Sequence, residues 1–224
     1  MESYANPRAA DAYDGEGLRA AERYIFDHYF ADAGKVLDLG CGTGRTSRHL
    51  ARRGHEVTAI DYSPTMLERA RQRSNGFNIH LSLMDAVALG FSDCTFDYCL
   101  FAHNGLDYLH PRTNRAKALG EIFRVLKPGG LLAFSSHNCL WIPTRPADIL
   151  NVLKSALRFK FAPYRWDYAS YGQLYTHFIS PTGQVKELQH LGFTSVKIVS
   201  QHSLTHWKIT VLDPFPSYVC HRPM

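Results

Sequence analysis

Apolar positions along the chain follow two spacings that alternate. Leu18, Ala21, Ile25, Phe26 and Tyr29 recur at helical intervals, so residues 18–30 read as a helix, ended by Gly34. The short apolar run at 35–39 reads as a strand, 43–53 as a helix closed by Gly54, and 56–60 as a second strand. Ser63-Pro64 supplies an N-cap and a proline at the first helical position, opening a helix to about residue 73. Further strands are expected at 78–83, 96–101 and 131–135, with a helix over 112–126 between the last two. Lys127-Pro128-Gly129-Gly130 should stop that helix, because proline and paired glycines both break it. Pro181-Thr182-Gly183 opens one more helix to residue 191, followed by strands at 193–199 and 218–220.

Strands that alternate with helices imply right-handed crossovers and a doubly wound α/β domain with a mostly parallel sheet. Strands apolar on both faces suit a sheet covered by helices on both sides. Neither a repeat nor a Pro/Gly-rich linker divides the chain, so residues 1–224 read as one domain. Residues 1–34 form an amino-terminal arm and helix, and residues 137–180 an aromatic-rich insertion after the fifth strand.

Composition changes this picture little. At 224 residues and 45% hydrophobic content, the chain can fill one α/β core. No apolar run approaches the roughly 20 residues that span a bilayer. The polar, mixed-charge start does not read as a signal peptide, and together these point to the cytoplasm with no membrane partner. Cys41, Cys94, Cys99, Cys139 and Cys220 form no close pair, which suits reduced thiols and no metal. The formal net charge of +5 gathers partly on Arg45, Arg48, Arg52 and Arg53 and on Arg69, Arg71 and Arg73. Helix arginines are more often a solvated face than a nucleic-acid patch, so a nucleic-acid partner is disfavoured. A mild positive field also suits an anionic small molecule.

The candidate chemistry begins at Val36-Leu37-Asp38-Leu39-Gly40-Cys41-Gly42-Thr43-Gly44-Arg45, followed by Ile60-Asp61-Tyr62-Ser63. Glycines let backbone approach a ligand closely, and the helix start offers unpaired N–H groups. A carboxylate ending the next strand can accept hydrogen bonds from a ribose diol. Cys41 reads as a small residue that fits the turn rather than as a nucleophile.

With Phe96-Asp97-Tyr98 before the fourth strand and Glu121-Ile122-Phe123-Arg124-Val125-Leu126-Lys127-Pro128-Gly129-Gly130 before the fifth, the chain resembles class I S-adenosylmethionine-dependent methyltransferases of the small-molecule type. The resemblance covers about residues 35–136, and more weakly 181–222. It implies a Rossmann-like, seven-stranded sheet with a reversed last strand, and S-adenosylmethionine as cofactor, with S-adenosylhomocysteine as product. By the same resemblance, Asp38 would meet the methionine amino group, and the backbone of Gly40, Cys41, Gly42 and Gly44 would pass under the methionine and ribose. Asp61 would take the ribose hydroxyls and Tyr62 would lie against the adenine, although plain packing is an equal reading of Tyr62. Asp85 and the Ala86 amide would hold the adenine, and Ala102 would line the methionine end. A nicotinamide dehydrogenase would use a similar turn and acid, but the Lys-Pro-Gly-Gly stop and the late insertion argue against it.

Methyl transfer from a sulfonium needs no metal, and holding the acceptor in near-attack geometry can supply on the order of 7–11 kcal/mol. His103 follows the fourth strand at the expected methyl position, with an ordinary histidine pKa that can work near neutrality. It is either the general base or a residue that orders the loop. Asn104, His137 and Asn138 are candidate contacts to the acceptor, with Asn138 alternatively a simple turn residue. Tyr168 and Tyr171, further candidate contacts to the acceptor, belong to an insertion that suits a lid, a hydrophobic cap or a subunit contact, and Tyr13 is a candidate lid residue over the cofactor. The expected activity is methylation of oxygen or nitrogen on a small metabolite. The rivals are an RNA or protein methyltransferase and a non-catalytic cofactor-binding partner subunit.

Overall fold

The computed structural model describes residues 17–142, 164–167, 174–200 and 206–224; within the second of these segments, and at 174, 206 and 207, only the backbone is described. Helix α1 (Ala20–His28) leads into β1 (Lys35–Leu39), α2 (Arg45–Arg52), β2 (Glu56–Asp61), α3 (Pro64–Arg73) and β3 (Ile79–Leu83). Strand β4 (Phe96–Phe101), a 3-10 turn (Gly105–Tyr108), α4 (Arg112–Val125) and β5 (Leu126–Ser135) follow. The chain closes with β6 (Tyr164–Asp167), β7 (Leu174–His177), α5 (Pro181–His190), β8 (Thr194–Val199), α6 (His206–Leu212) and β9 (Ser217–His221).

Seven strands form one sheet in the order β3-β2-β1-β4-β5-β9-β8. β9 runs antiparallel to both β5 and β8, while β1 to β5 pair in parallel. The strand order reverses between β1 and β4, and open α/β sheets bind ligands outside the carboxyl ends of strands at such a point.

Period-two alternation divides β1 between two cores. Leu37 and Leu39 pack with Ile122 and Val125 of α4 and Leu188 of α5. Val36 packs on the opposite face with Ile25 and Phe26 of α1 and Leu50 of α2. Asp38 shares the Val36 face, which brings its carboxylate under the first turn of α2.

The capping expected at Ser63 forms, with Ser63 Oγ accepting from the Met66 N–H. Ser180 does the same for α5, accepting from the Gly183 N–H at 3.1 Å. The stop at Lys127-Pro128-Gly129-Gly130 takes a different form from the expected loop. Strand β5 starts directly at Leu126, and the four residues bulge out of it while the pairing partners shift from Phe96↔Leu126 to Tyr98↔Leu131. Gly129 takes a φ of 76° inside this bulge, a conformation glycine adopts at little cost. Helix α2 begins at Arg45 rather than at Thr43, since the positive-φ Gly44 lies before it. The 3-10 turn, the β6–β7 hairpin and α6 were absent from the sequence expectation. All three are short, and such pieces carry little periodicity.

Candidate functional site

The turn after β1 uses left-handed backbone at Gly40, Gly42 and Gly44, with φ of 59°, 55° and 77°. A Cβ on Gly40 would stand 2.9 Å from Phe101 Cε2, so both backbone and packing demand glycine there. A Cβ on Gly42 would meet nothing within 4 Å, which places open space above the turn. The Cys41 N–H donates to the Ile60 carbonyl at 3.0 Å and ties the turn to β2. Burial pushes the Cys41 thiol far up, so it is an inert packing group.

Two carboxylates flank this space. Asp38 is buried, and the hydroxyls of Thr46 and Ser47 both donate to its Oδ2, at 2.7 and 2.6 Å. Its Oδ1 has no hydrogen-bond partner among the described residues. Burial raises the Asp38 pKa to about 6, against the opposing effect of the two hydroxyls. Asp61 accepts from the Gly42 N–H at 2.9 Å through Oδ2 and from the Ser63 N–H at 2.8 Å through Oδ1. Burial lifts its pKa too, with the backbone donors of Ser63 and Gly42 pulling it back.

Tyr62, beside Asp61, keeps 42% of its surface exposed. Its hydroxyl is pushed up to about 12, by burial and then by the charges of Asp61 and Asp85. Asp85 is exposed just past β3, accepts from the Val87 N–H at 3.1 Å, and is followed by the buried Ala86. These groups therefore stand at the carboxyl ends of β1, β2 and β3. They fit an adenosine with an amino-acid tail: a buried carboxylate for an ammonium, a strand-end acid for a diol, and an exposed ring for a base.

Beyond β4, Ala102 is half-buried, and His103 and Asn104 take left-handed backbone at φ 55° and 58°. Such conformations in non-glycine residues are uncommon and cluster at functional sites. Asn104 is buried, its N–H donates to Ser135 Oγ at 2.9 Å, and its side-chain Oδ1 has no partner among the described residues. The expected near-neutral pKa of His103 is not what the structure gives. Burial, followed by the charges of Arg19 and Arg45, lowers it to about 3, so the ring is a neutral, weak base at pH 7.

A network that the sequence reading missed joins the 3-10 turn to the end of β5. Asp107, fully buried in the 3-10 turn, accepts from Ser136 Oγ at 2.9 Å, from the His137 N–H at 2.6 Å and from His137 Nδ1 at 2.9 Å. Arg115 Nε of α4 stands 3.7 Å away, and His177 Nδ1 3.8 Å. Burial alone would raise the Asp107 pKa. The hydrogen bonds from His137, together with the nearby His177 and Arg115, outweigh it, holding the carboxyl well below its usual range. Arg115 is itself fully buried, donating to Gln184 Oε1 at 2.6 Å and pairing with Glu187. Only the crossing of α4, α5 and the 3-10 turn assembles these residues, and no spacing along the chain announces them.

His137 sits in an aromatic box of Tyr108, Phe178 and Phe215, with ring centroids 5.1 to 5.8 Å apart. With Nδ1 on Asp107, its Nε2 has no partner among the described residues. Asn138 was expected to contact the acceptor, but its side chain is spent on internal bonds. Nδ2 donates to the Thr210 and Asp213 carbonyls at 2.8 and 3.0 Å, and Oδ1 accepts from the Leu140 N–H at 2.9 Å. Tyr13, Tyr168 and Tyr171 lie outside the described residues.

Several arginines first read as a solvated face are paired. Arg45 binds Glu22, Arg53 binds Asp27 and Arg71 binds Glu68.

The strand order, the reversed last strand and the acid-flanked glycine turn resemble those of class I S-adenosylmethionine-dependent methyltransferase domains. Residues 36–130 match a family described as a methyltransferase domain. Over 132 residues the chain is 35% identical to the malonyl-[acyl-carrier protein] O-methyltransferase of Serratia marcescens, covering 58% of this chain and 49% of that one. It is 40% identical over 105 residues to the demethylmenaquinone methyltransferase of Thermus thermophilus, covering 44% of each. The chain thus spans about half the length of the curated relatives it matches. Among solved structures, the 1,6-didemethyltoxoflavin-N1-methyltransferase of Burkholderia thailandensis superposes with a TM-score of 0.66 at 20% identity, covering 100% of this chain and 85% of that one. At that identity the likeness speaks for the fold alone. Among the described residues, no helix is long and apolar enough to cross a membrane.

Proposed function

We propose that this protein transfers a methyl group from S-adenosylmethionine to oxygen or nitrogen of a small metabolite. The observation that carries the reading is the pair of carboxylates on either side of the glycine turn, one of them, Asp38, with an oxygen that has no hydrogen-bond partner among the described residues. Asp38 Oδ1 would accept from the ammonium, Asp61 from the ribose diol, and Asp85 with the Ala86 amide would hold the adenine against Tyr62. The backbone of Gly40, Cys41, Gly42 and Gly44 makes room beneath the ligand, and Ala102 borders its methionine end. The cofactor supplies an electrophilic methyl on a sulfonium, and the chain's task is to orient the acceptor and exclude water.

Two histidines, one just past β4 and one just past β5, have different capacities. The lowered pKa of His103 suits a residue that orients the acceptor and holds the strained loop. His137 has Nδ1 held by Asp107 and an Nε2 with no partner among the described residues, the arrangement that suits taking a proton from a hydroxyl. Asn104 offers its buried amide as a further polar contact. A small acceptor accords with the relatives named for menaquinone precursors, and the pairing of Arg45, Arg53 and Arg71 with acids gives no support to a nucleic-acid surface. The proposed compartment is the cytoplasm, in keeping with five cysteines outside any disulfide.

Calorimetric titration with S-adenosylmethionine tests the reading. Binding by the wild type and its loss in Asp61→Ala are the expected results; a wild-type protein that takes up no ligand overturns it.

A further inference from the structure

Three neighbouring strands end side by side at the edge of the sheet that carries the glycine turn. Asp38 of β1 pairs with Leu100 of β4, and Leu100 pairs with Ala133 of β5. His137 lies a few residues past Ala133, and its charge is felt at His103, a few residues past Leu100.

Asp107 fixes the His137 ring. Its Oδ2 accepts from the His137 main-chain N–H at 2.6 Å and from Nδ1 at 2.9 Å, while Ser136 Oγ donates to Oδ1. An ionised carboxylate only accepts, so the proton of a neutral His137 sits on Nδ1 and the lone pair is left on Nε2. Nε2 has no partner among the described residues, and the rings of Tyr108, Phe178 and Phe215 restrict rotation of the imidazole.

Behind this contact lies an imbalance of charge. Asp107 of the 3-10 turn and Glu187 of α5 are two anions, and Arg115 of α4 is the one cation between them. The side chains of Asp107 and Arg115 are fully buried and that of Glu187 is 17% exposed, so water screens the excess negative charge poorly. A proton gained at His137, the histidine in direct contact with Asp107, would supply the missing positive charge. His177 Nδ1 stands farther off, at 3.8 Å.

Such a base matters to a hydroxyl acceptor and is idle toward a neutral amine, which can attack first and release its proton later. We infer that Asp107 is a positioning residue that holds His137 ready as a proton acceptor, and that the methyl acceptor is accordingly a hydroxyl group. The inference rests on the cofactor reading above and narrows it from oxygen or nitrogen to oxygen. The acceptor oxygen bonds to the methyl carbon as the carbon–sulfur bond breaks, and sulfur keeps that electron pair and leaves as the neutral thioether. The hydroxyl proton passes to His137 Nε2, where the carboxylate of Asp107 balances the imidazolium until water removes the proton.

Two measurements test this. In ligand-free protein labelled with 15N-histidine at pH 8, His137 should show a protonated Nδ1 and a bare Nε2, its signals identified by their loss in His137→Gln. A proton on Nε2 overturns the inference. Turnover is followed with S-adenosylmethionine and probes that differ only in the acceptor atom, phenol against aniline and 2-naphthol against 2-naphthylamine. Wild type should methylate a hydroxyl probe. His137→Gln should lower kcat for it by about a hundred- to ten-thousandfold. Asp107→Asn should lower it by about ten- to a hundredfold, the range for a hydrogen bond to a charged group. KM and affinity for S-adenosylhomocysteine should be kept in both variants. Methylation of amine probes alone, or of no hydroxyl probe, overturns the inference, as does either variant with an unchanged kcat. Should Asp107→Asn fail to fold, the tautomer and His137→Gln decide. Calorimetry separates this inference from the cofactor reading: a wild type that binds S-adenosylhomocysteine but methylates no hydroxyl probe overturns only the inference, and one that does not bind it overturns both.

Discussion

The Gly42 N–H donates to Asp61 Oδ2 at 2.9 Å, which makes the glycine turn and the acid of the next strand a single unit. The same carboxylate also fastens Ser63, the cap of α3, through the Ser63 N–H. A ribose diol bound there would join a carboxylate already oriented by two backbone donors, with little further ordering to be lost on binding.

Asp61→Asn separates charge from shape. The amide oxygen can still accept from one backbone donor, but its nitrogen cannot accept from the other. Affinity for S-adenosylhomocysteine should fall about ten- to a hundredfold by calorimetry, in line with losing a hydrogen bond to a charged acceptor. Retention of full affinity would show that Asp61 serves the turn alone.

Asp38 makes stability depend on pH. Its folded-state pKa of about 6 exceeds the 3.8 of an unperturbed carboxyl, so the folded protein holds the proton more tightly. Its contribution is therefore most favourable below pH 4 and is lost as pH rises through about 6. The difference amounts to roughly 3 kcal/mol at most. Asp38→Asn should flatten this part of the profile, measured by urea unfolding of the ligand-free protein between pH 4 and pH 8. The same variant should bind S-adenosylhomocysteine more weakly at pH 8, because the ammonium loses its counter-charge.

Arg115→Met should be strongly destabilising. The side chain is fully buried among Asp107, Glu187 and Gln184, and its removal leaves the buried Asp107 and the partly buried Glu187 without their cation. Breaking such a pair costs about 3–5 kcal/mol. The midpoint of urea unfolding should fall accordingly, and a shift within experimental error would mean that Asp107 is satisfied by its histidine and serine donors alone.

His103 should remain neutral throughout the physiological range. Burial and the charges of Arg19 and Arg45 lower its pKa to about 3, below the ordinary 6.5. The unfolded chain takes up a proton at this residue as pH falls through about 6.5, while the folded protein does so only near 3. Its contribution to stability is thus present above 6.5 and lost on acidification. Ring nitrogen shifts of 15N-labelled histidine, followed from pH 8 to pH 5 in the ligand-free protein, should show no titration at His103. A midpoint near 6 would return it to the role of general base.

The βα alternation through residue 135 could be read from apolar spacing, because each strand and helix there is long enough to show its period. The glycine turn, Asp61 and Asp85 were legible for a related reason: a ligand cradle built between consecutive elements is written contiguously. The acceptor side was not. His103 and His137 looked alike in the sequence, each a histidine just beyond a strand. They differ because one lies beside two arginines and the other beside a buried aspartate that Arg115 and His177 also approach.

What the sequence determined by itself was the order of the elements and the local chemistry of the turn, since both depend on periodicity and on residues next to one another in the chain. Tertiary structure alone decided which charges are paired and which oxygens lack a partner. Arg19 meets His103 across 84 positions, and Arg115 meets Glu187 across 72. The electrostatics of a buried group are set by the few residues packed around it, and packing brings those together from distant parts of the chain.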